Sequence, residues 1–490
     1  MLTSSEDVAK RESMTAAIGN WVAGEQVTSD QAFEVHHPYD GKVVGTACFA
    51  TDAEVERAVS AAHACQREFA ALPAHVRAGA LDHVVRRLQE RAEEVAQLIT
   101  AENGKPITWA RAEVNRSIST FRWGAEEARR WSGQLQRLDT DQGGTGRMAL
   151  IRRKPKGPVL GITPFNFPLN LVAHKVAPAL AVGAPIVLKP APKTPLSALL
   201  LGEILAETEL PAGSWSVLVT TNEKAPELVA DPRLPVVSFT GSGPVGWQIR
   251  DSVPRKHVTL ELGGNAAVYV NSDWPDLDHA AERIATFAMY QAGQSCISVQ
   301  RVYAHRDVHD ELAERVTKAV AAQTTGDPRE ESTKVGPLID EAAAERVEQW
   351  IEEAVAAGAS VLTGGTREGT TIAPTVLAGV PEEAKVCSEE VFGPVLTIAP
   401  VDSVDEAFRR INDSRYGLQA GVFTRDLQLA FRASAELEVG GVVIGDVPSF
   451  RADQMPYGGV KESGVGKEGV RAAMTDITDE VVTVLTGIQV

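Results

Sequence analysis

An α/β protein built on parallel sheet is what this 490-residue chain predicts. Short apolar runs recur every ~25 residues from residue 157 onward, each separated by a stretch of helical periodicity. A second stretch with the same alternation follows the first. Together they describe consecutive βαβ units, long enough for two or three structural units rather than one core.

Two amphipathic helices come first. Thr51-Asp52-Ala53-Glu54 has the form of a capping box and opens a helix running towards Ala71. A second helix carries Leu81, Val84, Val85 and Leu88 on one face, then Val95, Leu98 and Ile99, and stops near Gly104. The strands expected next are Val159–Thr163, Ile186–Lys189, Val217–Val219, Val236–Thr240 and Val258–Leu262, with helices beginning near Leu169, Thr194, Glu223 and Pro244. The later unit reads as helices near 276–292, 306–323 and 340–357 and strands near 299–304, 395–399 and 441–445. Met148–Arg153 and Glu480–Leu485 are β-rich and flank these units, so each needs a partner sheet, within this chain or on another subunit.

Composition narrows the function. Lys and Arg number 48 against 65 Asp and Glu, a net charge of -17, which argues against nucleic acid or an anionic membrane as the main partner. An anionic small substrate stays open, because local charge can oppose the global sign. The start, MLTSSEDVAKRESM, lacks the apolar core of a signal peptide, and no apolar run approaches the ~18 residues of a membrane span. Four cysteines, Cys48, Cys65, Cys296 and Cys387, make neither a disulfide framework nor a zinc pattern. A cytoplasmic protein without metal is expected.

Five local motifs could carry chemistry. Phe239-Thr240-Gly241-Ser242-Gly243-Pro244-Val245-Gly246 follows a strand and opens a helix; it is a G-x-G-x-x-G that would let a dinucleotide phosphate approach a helix N-terminus, or a structural turn. Spacing alone would make Glu261, twenty residues past Gly241, a ribose-binding acid. Leu260-Glu261-Leu262-Gly263-Gly264-Asn265 sets that carboxylate at a strand end. In Gln291-Ala292-Gly293-Gln294-Ser295-Cys296 a helical run breaks ahead of a cysteine, which in isolation is more often an inert small hydrophobe than a nucleophile. Glu389-Glu390-Val391-Phe392-Gly393-Pro394 and Thr163-Pro164-Phe165-Asn166-Phe167-Pro168 complete the set and could be plain loops.

In this order, and with Lys189-Pro190 and Pro456-Tyr457-Gly458-Gly459-Val460-Lys461-Glu462-Ser463-Gly464, these motifs resemble the aldehyde dehydrogenase superfamily from roughly residue 17 to the C-terminus. The resemblance implies a Rossmann-type cofactor domain from residues 1–132 and 154–262, an α/β catalytic domain over 263–473, and a small β bridging or oligomerisation segment from 133–153 and 474–490. It implies a homodimer or homotetramer.

It also implies roles. Cys296 matches the nucleophile that forms a thiohemiacetal and then a thioester, and Asn166 the oxyanion-stabilising amide beside the Cys296 backbone N–H. Glu261 matches the base that activates water, which removes it from the ribose role. Lys175 matches a lysine that tunes the site from outside the pocket. On the cofactor side Lys189 matches the adenosine-ribose lysine, Thr163, Pro164 and Phe165 the strand end beside the nicotinamide half, Ser242 a pyrophosphate contact within the Gly241–Gly246 turn, and Glu390 and Phe392 contacts to the nicotinamide ribose and ring. Leu262 adjoins Glu261 at the same strand end.

One departure bears on the cofactor. Where NAD-preferring relatives usually carry a glutamate three residues after the ribose lysine, this chain has Pro192, followed by Lys193. Proline does not repel a 2′-phosphate, so NADP+ is expected to be accepted alongside NAD+ and is a candidate for the preferred cofactor. For the substrate, Arg116, Asn170, His174 and Arg451 fall near the expected tunnel and suit a small polar or anionic aldehyde, unless the arginines pair with Glu113 and Asp453. A weaker resemblance to a lactaldehyde-dehydrogenase-like branch agrees. The alternatives are a CoA-acylating dehydrogenase, which Glu261 argues against, and a catalytically silent relative, which would have been expected to lose Cys296, Glu261 or Asn166.

Overall fold

The computed structural model describes residues 17–487. The polar start Met1–Met14, expected not to be a signal peptide, lies outside these residues. Among the described residues no helix is long and apolar enough to cross a membrane, and no group of His, Cys, Asp and Glu could hold a metal ion.

The first sheet has eight strands. Its parallel centre runs Trp215–Val217, Ile186–Lys189, Val159–Ile162, Val236–Thr240, His257–Glu261. Successive residues of these strands alternate between two buried faces: Val159, Ile186, Leu188 and Val236 enter one core, Leu160, Val187 and Val237 the other. Both faces are covered by helices, so the strands are apolar throughout. The chain order reverses between Val159–Ile162 and Val236–Thr240, which opens a crevice at their C-terminal ends where ligands bind in sheets of this kind.

The second sheet has seven strands, with Arg301–His305 and Ala267–Val270 at its centre. A short turn, Leu262-Gly263-Gly264-Asn265-Ala266, carries the chain directly from one sheet into the other. That connection places the end of His257–Glu261 opposite the segment that precedes Arg301–His305.

The two β-rich flanks find each other. Arg147–Pro155 and Thr478–Thr486 pair antiparallel over nine residues, and Gln134–Arg137 adds a third strand. Their partner is therefore intrachain. The helix expected to run past Leu81 to Gly104 is two helices, Ala74–Glu90 and Ala92–Asn103, broken at Arg91; Gly104 closes the second at φ 74°. The strand expected at Val217–Val219 lies two residues earlier.

Candidate active site

Cys296 sits after a helix that is forced to stop. Leu277–Met289 ends, and Gln291, Ala292 and Gly293 follow with φ of 57°, 52° and 69°. Two non-glycine residues in the left-handed region cost on the order of 1–2 kcal/mol each, so tertiary contacts must hold them. They do. A Cβ on Gly293 would lie 2.0 Å from Gly393 O, Gln294 Nε2 donates to Gln291 O and Pro337 O, and Ile339 N donates to Gln294 Oε1. The turn presents Cys296 to a pocket of about 290 Å³.

Asn166 reaches this turn from the other side. It follows the strand Val159–Ile162, and its Nδ2 donates to Gln294 O at 2.9 Å, while its Oδ1 is buried without a partner among the described residues. Glu261, at the end of its strand, lines the same pocket; it is 3% exposed and neither carboxyl oxygen has a partner among the described residues. Burial, with the Glu468 carboxylate nearby, raises its pKa well above the usual carboxylate range. The Cys296 thiol is pushed up to about 12, also by burial, although Tyr457 Oη stands 3.0 Å from Sγ and opposes the shift. Glu390, which accepts from Gly264 N at 2.9 Å, is raised to about 7 by burial. Phe392 lies edge-on to Phe165 across the pocket, their centroids 5.9 Å apart.

Gly264 is required by this crowding, and Gly263 leaves the Glu390 carboxylate its place. A Cβ on Gly263 would meet Glu390 Oε2 at 2.4 Å, and one on Gly264 would meet Cys296 O at 2.2 Å.

Of the residues expected in the substrate tunnel, Arg116, Asn170 and Arg451 line the pocket. Arg116 Nη2 donates to Asp453 Oδ1 at 3.0 Å and Arg451 Nη2 to Glu468 Oε2 at 3.0 Å. Glu113, the other expected partner, pairs with Lys105 instead. His174 does not line the pocket: it is buried behind it, its Nε2 3.4 Å from Asp453 Oδ1, and burial lowers its pKa to about 4. The turn of a wholly buried helix, Asn170–Val182, points it away. Lys175, on the same helix, is also outside the pocket lining and donates to Ser238 Oγ, Thr240 Oγ1 and Glu468 Oε1 at 2.8–3.1 Å.

A second cleft of about 490 Å³ shares Pro164, Phe165, Thr240, Gly241 and Ser242 with the first. Thr163, Lys189, Pro192 and Lys193 line it. Glu261 does not, so the ribose role suggested by spacing is not available to it. Gly246 serves packing: a Cβ there would meet Leu262 Cδ2 at 2.3 Å, so helix Gly243–Ser252 lies tight on the strand end.

Residues 21–483 match the profile of the aldehyde dehydrogenase family. The chain belongs to that family. It is 42% identical to 3-sulfolactaldehyde dehydrogenase of Priestia aryabhattai, over 95% of this chain and 98% of the relative. Aldehyde dehydrogenase 21 from Physcomitrella patens, solved with its reaction product succinate, superposes with a TM-score of 0.95 at 45% identity, covering 97% of this chain and 99% of that one. The NADP-dependent glyceraldehyde-3-phosphate dehydrogenase of Bacillus halodurans, solved with NADP, gives 0.93 at 34% identity, covering 97% and 100%.

This aldehyde dehydrogenase is NAD(P)-dependent, and its second cleft fits the cofactor. Lys189 is 2% exposed, its ammonium meets only Asn222 Oδ1 at 3.3 Å among the described residues, and burial lowers its pKa to about 8. A buried cation so poorly partnered is a waiting donor for hydroxyl or phosphate oxygens. Thr163 Oγ1, at the neighbouring strand end, is buried without a partner among the described residues. Ser242 caps the ten-residue helix Gly243–Ser252 without using its side chain, leaving an N-terminus suited to a pyrophosphate.

Three buried residues at this dehydrogenase's site went unnoticed in the sequence. Asn103 Nδ2 donates to Phe165 O at 2.8 Å and its Oδ1 accepts from Gln291 Nε2 at 2.7 Å, tying the Asn166 loop to the Cys296 turn. Glu468 joins Lys175 to Arg451. Tyr457 touches the sulfur. Only Tyr457 lay inside a recognised motif; the other two have no local signal.

Proposed function

We propose that the chain oxidises a small aldehyde bearing an anionic group to the carboxylic acid with NADP+ or NAD+, through a thiohemiacetal and a thioester on Cys296. The presence of Arg116 and Arg451 in one pocket with Cys296 carries this reading. Arg451 Nε is buried without a partner among the described residues, an unused donor beside the reacting centre. The name of the Priestia relative and the succinate of the Physcomitrella structure support it, since both compounds carry an anionic group besides the aldehyde or acid carbon.

In this reading Cys296 attacks the carbonyl carbon, and the Asn166 amide and the Cys296 N–H stabilise the oxygen that gains charge. NAD(P)+, when bound, accepts hydride. Glu261 then takes a proton from water, which attacks the thioester and frees the acid. Phe165 and Phe392 keep bulk solvent from the centre, and Lys175 with Glu468 fixes the charge behind Glu261.

Arg116→Met tests the anion site, because Arg451 also packs on Tyr457 and is the less clean variant. KM for an acidic aldehyde such as a semialdehyde is expected to rise about 10- to 100-fold, the worth of a charge-assisted hydrogen bond. KM for a neutral aldehyde of equal length should change less than about threefold. Equal effects on both substrates would remove the anionic assignment.

Pro192 supports acceptance of NADP+. Lys193 contributes less than its charge suggested, because it is paired with Asp340 and mostly exposed. Pro192→Glu is expected to lower kcat/KM for NADP+ about tenfold or more by repelling the 2′-phosphate, with NAD+ nearly unaffected. Lys193→Ala should change the NADP+ value by less than about threefold.

We read the two large sheets as the cofactor-binding unit (1–132 with 154–262) and the catalytic unit (263–473), and the three-stranded sheet (133–153 with 474–490) as the contact between subunits. Leu135, Val482 and Val484, each more than half exposed on that sheet, support the last assignment. The same reading makes the protein a homodimer or homotetramer.

A further inference from the structure

We infer that Tyr457 is a catalytic residue whose phenol O–H donates to Cys296 Sγ as the sulfur ionises, and that Arg451, stacked on its ring, holds it there. This rests on the reading of Cys296 as the nucleophile. Tyr457 Oη lies 3.0 Å from Sγ, and Tyr457 is 3% exposed. A buried hydroxyl is costly unless it is bonded, and the sulfur is its one hydrogen-bond partner among the described residues. Phenylalanine would fill the same space without that cost, so the hydroxyl has its use at the sulfur.

The ring cannot swing away. Tyr457 N donates to Glu468 O at 3.0 Å and Glu468 N returns a bond to Tyr457 O at 2.7 Å. The Arg451 guanidinium carbon lies 3.9 Å from the ring centroid, and Arg451 is itself bonded to Glu468, which Lys175 holds from the other side. Face, backbone and hydroxyl are all fixed.

The charges around the sulfur show why a donor is needed. Glu261, from the end of its strand, and Glu390, from the loop before Gly393, both oppose ionisation of the thiol, and Arg451 favours it. Tyr290 spends its hydroxyl on Ser295 Oγ at 2.8 Å. Lys175 and Glu468 form a pair outside this shell of contacts. When aldehyde is attacked, the Cys296 S–H bond breaks and its proton passes to water in the pocket, which leaves the Glu261 carboxylate free for the later deprotonation of the attacking water. The sulfur electron pair forms the C–S bond, and the carbonyl π pair moves onto oxygen. Tyr457 keeps its proton throughout and lends only a hydrogen bond, strongest while the charge is on sulfur.

The test is Tyr457→Phe in the full chain, with the rate of Cys296 alkylation by iodoacetamide followed against pH by peptide mass. The midpoint is expected to rise by about one unit or more, which is a tenfold or greater loss of thiolate. The presteady-state burst of reduced nicotinamide should slow about 10- to 100-fold, with hydrolysis of the acyl-enzyme and Kd for NADP+ unchanged. A role in packing alone would leave the alkylation midpoint where it was. Replacing Tyr457 by a fluorinated tyrosine of lower phenol pKa guards against a folding defect, since the stronger donor should move the midpoint down. Midpoints within about 0.3 unit of wild type in both variants would overturn the inference. Labelling of Cys387 in place of Cys296 would instead overturn the nucleophile assignment beneath it.

Discussion

Cys296→Ser is expected to abolish aldehyde oxidation, lowering kcat by about 10⁴-fold or more while Kd for NADP+ stays within about twofold. The two parts of this expectation come from geometry. Cys296 lines the smaller pocket and is absent from the larger cleft that Lys189 and Thr163 line, so the substitution leaves the cofactor's contacts intact. A serine hydroxyl fills the thiol's place, but it ionises far less readily than the thiol, and burial already drives even the thiol up to about 12. A much weaker acid would have to ionise in the same buried place. Reduced-nicotinamide formation over a panel of acidic, hydroxylated, aliphatic and aromatic aldehydes measures the loss. Turnover retained at a tenth of wild type would mean that sulfur is not the nucleophile. The other cysteines offer no substitute, since Cys48, Cys65 and Cys387 line neither pocket.

Much of the fold was legible because parallel strands buried on both faces leave an unmistakable apolar run. Ile186–Lys189 and Val236–Thr240 fall where their sequences put them. The capping box Thr51–Glu54 forms with both of its hydrogen bonds. Ala267–Val270 and Gln419–Phe423 were missed, although both are central or near-central strands. AVYV and QAGVF are each only four or five residues long, and Gly421 gives no strand signal. Arg91 was read through because an amphipathic pattern continues across it, whereas the break is one of backbone angles.

The site divides in the same way. Motif residues such as Cys296, Glu261 and Asn166 converge, as ordered motifs implied. His174 could be placed near the tunnel by position, but only the packing of its helix decides that it faces Asp453 rather than the pocket. The arginines' carboxylate partners were half foreseen: Asp453, 337 residues along the chain, holds Arg116, while Glu468, 17 residues from Arg451, could not be linked to it by any periodicity. Long-range ion pairs leave no local pattern to read.

Glu261→Gln should separate the two halves of the reaction. The amide keeps the volume of the carboxyl but cannot accept a proton, so hydrolysis of the thioester should fall about 10²- to 10⁴-fold. Acyl-enzyme then accumulates, and an intact-mass increase on Cys296 would report it. Wild-type kcat should rise with pH as Glu261 ionises, and its limb should lie above the ordinary carboxylate range, because burial raises this pKa. The limb should vanish in Glu261→Gln. Stability offers an independent check of the same shift. A carboxyl with a raised folded-state pKa stabilises the fold fully below its unfolded value of about 4.3, and that contribution is lost as pH rises through the folded value. At pH 8 the native carboxylate is therefore a burden the glutamine does not carry, and Tm of the variant should equal or exceed that of wild type. A variant with slow turnover, no accumulated acyl-enzyme and a lower Tm would contradict the base assignment. Raised Tm with trapped thioester would mean that the chain keeps a destabilising, unpartnered carboxyl beside its nucleophile because deacylation requires it.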